Sequence, residues 1–158
     1  MMQRNKDASI LPLMARHIPQ IARIEQLCFT DPWSEALLES ELDAPLARYF
    51  IYEEDGQVLG YIGTRMIFDA CEIANVAVDP AHRRKGIALA LYRALEEECR
   101  LRNIIQLDLE VRESNLGAQE FYRFCGFTNV GKRRNYYESP REDAILMSRL
   151  LGNEEEQA

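Results

Sequence analysis

The chain has 158 residues, 47% of them apolar and 28% charged, with a formal net charge of −7 at neutral pH. That length suits one domain, expected to span 1–158, and is too short for a second full one. The acidity argues against a general nucleic-acid binder, which carries the opposite balance; it favours solubility and, weakly, a cationic partner such as an amine or a basic peptide.

Cys28, Cys71, Cys99 and Cys125 stand at scattered spacing, with two histidines in the whole chain. This argues against a zinc site and reads as buried free thiols in a reducing compartment. Met1-Met2-Gln3-Arg4-Asn5-Lys6 has no apolar run behind it, and no stretch has the length of a membrane span, so the expected location is the cytoplasm, with no membrane partner. No internal repeat or long linker is visible. Loose ends are expected at 1–7 and 152–158, the latter with three consecutive glutamates.

In chain order, 9–13 reads as a short strand. Ile18, Ile21, Ala22 and Cys28 then fall at helical spacing. A second helix starts at Ser34, a good N-cap, with Trp33 and Leu38 at the two positions of a hydrophobic staple. Strands over 48–54 and 58–67 flank Asp55-Gly56, a strong hairpin signal. A third strand over 71–78 ends at Asp79-Pro80. A long helix follows with Ile87, Leu91, Ala94, Leu95 and Cys99 on one face. Residues 104–111 alternate as a strand, and 114–125 reads as a helix closed by Gly126. Strands near 127–137 and 144–150 complete the order βααβββαβαββ. This α/β (α+β) pattern implies a mostly antiparallel sheet with a parallel stretch at the βαβ unit.

Three places carry chemistry. Before the long helix stands Ala81-His82-Arg83-Arg84-Lys85-Gly86-Ile87-Ala88. A helix N-terminus presents unpaired N–H groups and a positive dipole end, so cations there are unfavourable unless an anion joins them. Gly86 permits close backbone approach. Together these residues read as a cradle for a phosphate or pyrophosphate; a solvated basic loop explains them equally well. No Gly-Lys-Ser/Thr follows, so this is not a P-loop. The second place is the strand Gln106-Leu107-Asp108-Leu109-Glu110-Val111, which puts leucines and valine on one face and Asp108 and Glu110 on the other. A carboxylate there is either a general base or one group on a wet face. The third is Tyr122, in a helical row with Ala118 and Cys125 and so directed inward. Its phenol is either a proton donor or a core hydroxyl bonded to a backbone carbonyl. Lys132-Arg133-Arg134 with Asn135-Tyr136-Tyr137 fits a substrate groove and fits a charged sheet edge as well. His17 and His82 read as solvent-facing or locally bonded, and Cys125 as helix packing.

The pieces, in this order over 9–150, resemble the GNAT superfamily of N-acetyltransferases. That family's coenzyme-A loop has the form Gln/Arg-x-x-Gly-x-Gly/Ala, and Arg83-Arg84-Lys85-Gly86-Ile87-Ala88 matches it without a gap. Asn75-Val76-Ala77-Val78-Asp79-Pro80 is similar to the family's fourth strand and the turn after it. Five further runs resemble its branch of ribosomal-protein alanine N-acetyltransferases. They are Pro32-Trp33-Ser34, Leu109-Glu110-Val111-Arg112-Glu113-Ser114-Asn115, Phe121-Tyr122-Arg123-Phe124-Cys125-Gly126-Phe127, Arg133-Arg134-Asn135-Tyr136-Tyr137 and Arg141-Glu142-Asp143-Ala144-Ile145-Leu146-Met147. Ala88 stands where that branch usually has a second glycine, within the wider family pattern.

The resemblance implies a GNAT-type fold, acetyl-CoA as cosubstrate, no metal, and the N-terminus of a ribosomal protein as acceptor. Val76, Ala77 and Val78 would offer backbone groups to the acetyl and pantetheine portions. Arg84, Lys85, Gly86, Ile87, Ala88 and Leu89 would hold the pyrophosphate, and Asn115 would contact the coenzyme. Glu110 resembles the general base and Tyr122 the general acid, with Arg134 and Tyr136 on the substrate side. In that scheme Glu110, through water, takes a proton from the α-amine of an N-terminal alanine. The Val76 N–H faces the oxyanion, and Tyr122 protonates the departing thiolate. Two other readings remain open: a GNAT enzyme of small amines, and a non-catalytic acyl-CoA-binding module.

Overall fold

The computed structural model describes residues 8–152. Of the two ends expected to be loose, only Gly152 falls among the described residues, and its carbonyl accepts from the Arg100 guanidinium at 2.9 Å. The elements are β1 (Ala8–Leu11), α1 (Ile18–Cys28), α2 (Glu35–Leu42), β2 (Ala47–Glu54), β3 (Gln57–Ile67), β4 (Ala70–Val78), α3 (Ile87–Leu101), β5 (Gln106–Arg112), α4 (Leu116–Phe124), β6 (Thr128–Glu138) and β7 (Arg141–Leu150). Single 3₁₀ turns precede α1 (Ala15–His17) and α3 (Pro80–His82). The strands lie in the order β1-β2-β3-β4-β5-β7-β6. β4 runs parallel to β5, while β1 with β2, β5 with β7 and β6 with β7 are antiparallel. This is the expected mixed, mostly antiparallel sheet. Among the described residues no helix is long and apolar enough to cross a membrane. The described chain divides into two compact units, residues up to 64 with 75–96, and 65–74 with the rest.

In the first unit, Asp55 and Gly56 both take positive φ, +51° and +78°. That is the primed turn that matches strand twist and joins β2 to β3. Ser34 accepts the Leu37 N–H at 3.1 Å and starts α2. Leu38 is buried in a core with Ile18, Ile21, Ile24, Tyr49, Ile51, Val58, Tyr61 and Ala77, and Trp33 packs against it as the staple requires. Of the two places expected for His17, solvent-facing or locally bonded, the structure shows the local bond and not the exposure. The ring is fully buried, accepts the Met14 N–H on Nδ1 at 3.0 Å and meets Glu53 through Nε2 at 2.9 Å. Arg16 pairs with the other oxygen of Glu53. The contact with Glu53, 36 residues away, has no local signature. Cys28, at the end of α1, is only half-buried, unlike the other three thiols.

Gly60 on β3 has a packing reason to lack a side chain. A Cβ there would sit 3.0 Å from the Ala77 carbonyl oxygen and 3.2 Å from both Ile87 Cγ2 and Val78 Cγ2. Gly60→Ala should therefore press on the end of β4 and the start of α3 together. Overpacking of this kind typically costs ~1–3 kcal/mol. Denaturant melts should show that loss, and acetyl-CoA affinity measured alongside should fall with it. A variant as stable as the parent would show that the strands yield freely.

In the second unit, Leu107, Leu109 and Val111 of β5 are buried, and Asp108 and Glu110 on the opposite face are partly exposed. This is the alternation read from the sequence. α4 begins two residues later than expected. Ser114 gives its N–H to Glu142 on β7, so Asn115 becomes the cap, its Oδ1 accepting the Ala118 N–H at 3.1 Å. α4 ends as predicted at Gly126, whose φ of +102° closes a pair of bonds from Gly126 to Arg123 and from Phe127 to Tyr122. α3 ends the same way with Asn103 in the left-handed position. That cap carries the chain past Ile104 before β5 can begin, which is why the strand starts at Gln106 and not at 104.

Candidate active site

The first unit carries the basic helix entrance. Asp79, buried at the end of β4, caps the turn that follows by accepting the Ala81 N–H at 3.0 Å, and pairs with Arg23 at 2.7 Å. Burial opposes its charge, but those two donors hold its pKa below the ordinary value. The chain then passes through Arg84 at φ +65° and Gly86 at φ +77°. A non-glycine residue in that region is strained and marks a constrained loop. The first bond of α3 is from Ala90 N–H to the Gly86 carbonyl at 3.0 Å. The N–H groups of Ile87, Ala88 and Leu89 precede it and have no intrahelical acceptor. Arg84 and Lys85 are exposed and form no ion pair among the described residues. Arg83 is turned back, its guanidinium 3.4 Å from Cys28 Sγ. Open N–H groups, a helix dipole and two unpaired cations suit a polyphosphate. Val76 and Val78 are half-buried and Ala77 is buried.

The second unit gathers the carboxylate and its attendants. Arg133 Nε lies 3.7 Å from Glu110 Oε1. Hydrogen bonding to Glu110 is the largest cause of the raised Tyr136 pKa, ahead of burial. The Tyr137 phenol is pushed up to about 12, by burial first and then by the charge of Glu110. Arg112 stacks over the Tyr137 ring at 4.3 Å and Arg133 over Tyr136 at 5.6 Å. A break in the β6–β7 ladder makes this possible. Arg133 pairs with Ala144 and Tyr137 with Glu142, leaving three residues against one. Asn135 sits in the middle at φ +53°, its N–H held by Asp143 Oδ1 at 2.8 Å. The bulge turns Tyr136 toward Glu110 and leaves Arg134 exposed beside it.

Tyr122 is 8% exposed. Its ring meets Phe121 and Phe127 edge to face, at 5.5 and 5.6 Å. Burial, then Cys125 and Tyr137, raise its pKa above the ordinary 10. No hydrogen bond from its hydroxyl to another described residue is present. Asn115 spends its side-chain oxygen on the α4 cap. No cluster of three or more metal-ligating side chains occurs among the described residues.

The sequence reading passed over one network. Glu25, fully buried on α1, accepts from the Trp33 N–H, the Tyr61 hydroxyl and the Asn75 amide. An acid on the apolar row of α1, four residues after Ile21, was the available signal. Arg133 and Tyr137 beside Glu110 were also not singled out individually.

The family model described as "Acetyltransferase (GNAT) family" matches residues 18–127. The ribosomal protein bS18-alanine N-acetyltransferase of Escherichia coli (strain K12) is 35% identical over 144 residues, 89% of this chain and 95% of that protein. N-alpha-acetyltransferase RimI of Mycobacterium tuberculosis is 35% identical over 78% of each chain. The crystal structure of the E. coli ribosomal-protein-S18-alanine N-acetyltransferase superposes with a TM-score of 0.84 at 33% identity, covering 93% of this chain and 97% of that one.

Proposed function

The chain belongs to the GNAT acetyltransferase family, and from that premise we propose that it carries the acetyl group of acetyl-CoA to the α-amine of an N-terminal alanine on a small-subunit ribosomal protein. The observation that carries the donor half is the entrance to α3, where Arg84 and Lys85 stand unpaired beside N–H groups that have no acceptor. The acceptor half rests on the Escherichia coli relative named for that alanine, alike over most of the chain.

In this reading residues 84–89 take the pyrophosphate and the 76–78 backbone meets the pantetheine and the thioester, the Val76 N–H serving the oxyanion. Asn115 borders the coenzyme, and Arg134 and Tyr136 border the peptide. Glu110, steadied by Arg133, accepts the amine proton, directly or through one water. The amine then attacks the thioester carbon, the C–S bond breaks as Tyr122 gives its proton to the sulfur, and the second proton that the nitrogen sheds on becoming an amide restores the Tyr122 phenol, while Glu110 passes its proton to solvent. The products are an acetylated N-terminus and coenzyme A. The chain works as one catalytic domain, in the cytoplasm, with neither metal nor nucleic acid taking part.

Two measurements test this. Acetyl-CoA at about 100 times its dissociation constant should stabilise the fold by roughly 2.7 kcal/mol and raise the melting midpoint without added metal. A peptide beginning Ala-Arg should be acetylated, and the same peptide blocked at its α-amine should not. An unchanged midpoint at saturating acetyl-CoA would overturn the donor half. Turnover only on small amines, or none on any amine, would overturn the acceptor half.

A further inference from the structure

Glu25 takes no part in the chemistry above, yet it is 0% exposed and surrounded by donors. The Trp33 N–H reaches Oε1 at 2.9 Å. The Tyr61 hydroxyl and the Asn75 amide both reach Oε2, the latter at 2.6 Å, and Asn75 also lies 3.2 Å from the Tyr61 hydroxyl. Its titratable neighbours are Tyr61 on β3 and Cys28 on α1 itself. The Trp33 backbone and Asn75 on β4 are neutral. The nearby cations are engaged elsewhere, Arg23 with Asp79 and Arg83 with Cys28. A buried carboxylate with no cation is costly. Burial accordingly pushes the Glu25 pKa from its ordinary 4.5 to about 7, against the bonds from Trp33 and Asn75. An apolar side chain would avoid that cost. What only a carboxylate supplies is two acceptor oxygens for three converging donors.

We propose that Glu25 is a positioning residue for acetyl transfer, its two oxygens fastening the connection between α1 and α2, at Trp33, to Asn75, the residue that leads directly into the 76–78 backbone. Cys28, one turn further along α1, donates to the Val78 carbonyl at 3.5 Å, so α1 grips that segment at both ends. The inference rests on the reading of 76–78 as the segment that meets acetyl-CoA. In the carboxylate form all three donors are satisfied. Protonation turns one oxygen into a donor facing other donors, and the grip on Asn75 loosens. Acetyl-CoA should therefore select the carboxylate form and draw the Glu25 titration to lower pH.

Trp33 is the chain's only tryptophan and its backbone N–H is bonded to this carboxyl, so its fluorescence is the probe. In the wild type, emission should titrate with a midpoint near pH 7, and saturating acetyl-CoA should lower that midpoint. Glu25→Gln should lack the transition and bind acetyl-CoA about tenfold more weakly, the scale of one hydrogen bond to a charged group. If Glu25→Gln does not fold, Tyr61→Phe keeps the ring and removes one donor, and its midpoint should lie above that of the wild type. A wild-type midpoint that acetyl-CoA leaves in place, while the coenzyme binds, overturns this inference alone. So does wild-type affinity in Glu25→Gln, or a wild-type midpoint in Tyr61→Phe. A wild type that binds no acetyl-CoA overturns the reading of 76–78 and this inference with it.

Discussion

Glu110→Gln should lower turnover on a peptide with a free N-terminal alanine by about 10²–10⁴-fold at neutral pH, the usual worth of general acid–base catalysis. The substitution keeps the shape of the side chain and a carbonyl oxygen for Tyr136, so acetyl-CoA binding and the melting midpoint should stay close to wild type. What goes is the acceptor for the amine proton. A protein α-amine has a reference pKa of roughly 7.7–8.0, so at neutral pH most of it is protonated and cannot attack. As pH rises through that range the free amine accumulates without help, and the variant should recover part of its rate while the wild type gains less. A lysine side chain, with a reference pKa near roughly 10.4, presents far less free amine at neutral pH and should be a poor acceptor for both. The measurement is a pH–rate profile of both enzymes on free and α-blocked peptides. Equal rates for variant and wild type at neutral pH would remove Glu110 as the base. Equal rates on free and blocked peptides would move the acceptor to a side chain.

Much of this arrangement is legible in the sequence because its signals are local. The Asp55-Gly56 turn, the Ser34 cap, the alternation of β5 and the Gly126 stop are each decided within a few residues. The basic loop before α3 is likewise a continuous run, to which the structure adds that Arg84 and Gly86 bend it through positive φ and that Arg83 is turned back to Cys28. The features that escaped depend on partners far away in the chain. Glu53 decides that His17 is buried, and Asp143 decides where β6 breaks its ladder and hence that Tyr136 faces Glu110. The donors to Glu25 come from positions 33, 61 and 75, so no local pattern reports them. The later start of α4 has the same origin, since the N–H that a Ser114 cap would have kept in the helix entrance goes to Glu142 on β7. Periodicity reports which face an element buries. It does not report which polar groups meet on that face.

Tyr122→Phe should leave a folded protein that binds acetyl-CoA normally and turns over about 10²–10⁴-fold more slowly. The ring carries the packing, edge to face with Phe121 and Phe127, and phenylalanine keeps that ring. The hydroxyl has no partner among the described residues, so its removal orphans no donor or acceptor and should cost little stability. Its proton is another matter. Burial, more than the neighbouring Cys125 and Tyr137, raises its pKa above the ordinary 10, so the phenol stays protonated wherever the enzyme works. A general acid must hold its proton until the C–S bond breaks, and a raised pKa serves that. A thiolate desolvated in the proposed reaction would have its proton affinity raised as well, so acid and leaving group would shift in the same direction. The decisive comparison uses two donors in steady-state assays at saturating peptide, acetyl-CoA and an acetyl thioester whose thiol is more acidic. A more acidic thiol needs less protonation to depart, so the deficit of Tyr122→Phe should shrink with that donor. A deficit of equal size with both donors would move the role of Tyr122 away from proton transfer, and wild-type turnover with acetyl-CoA would reduce it to packing.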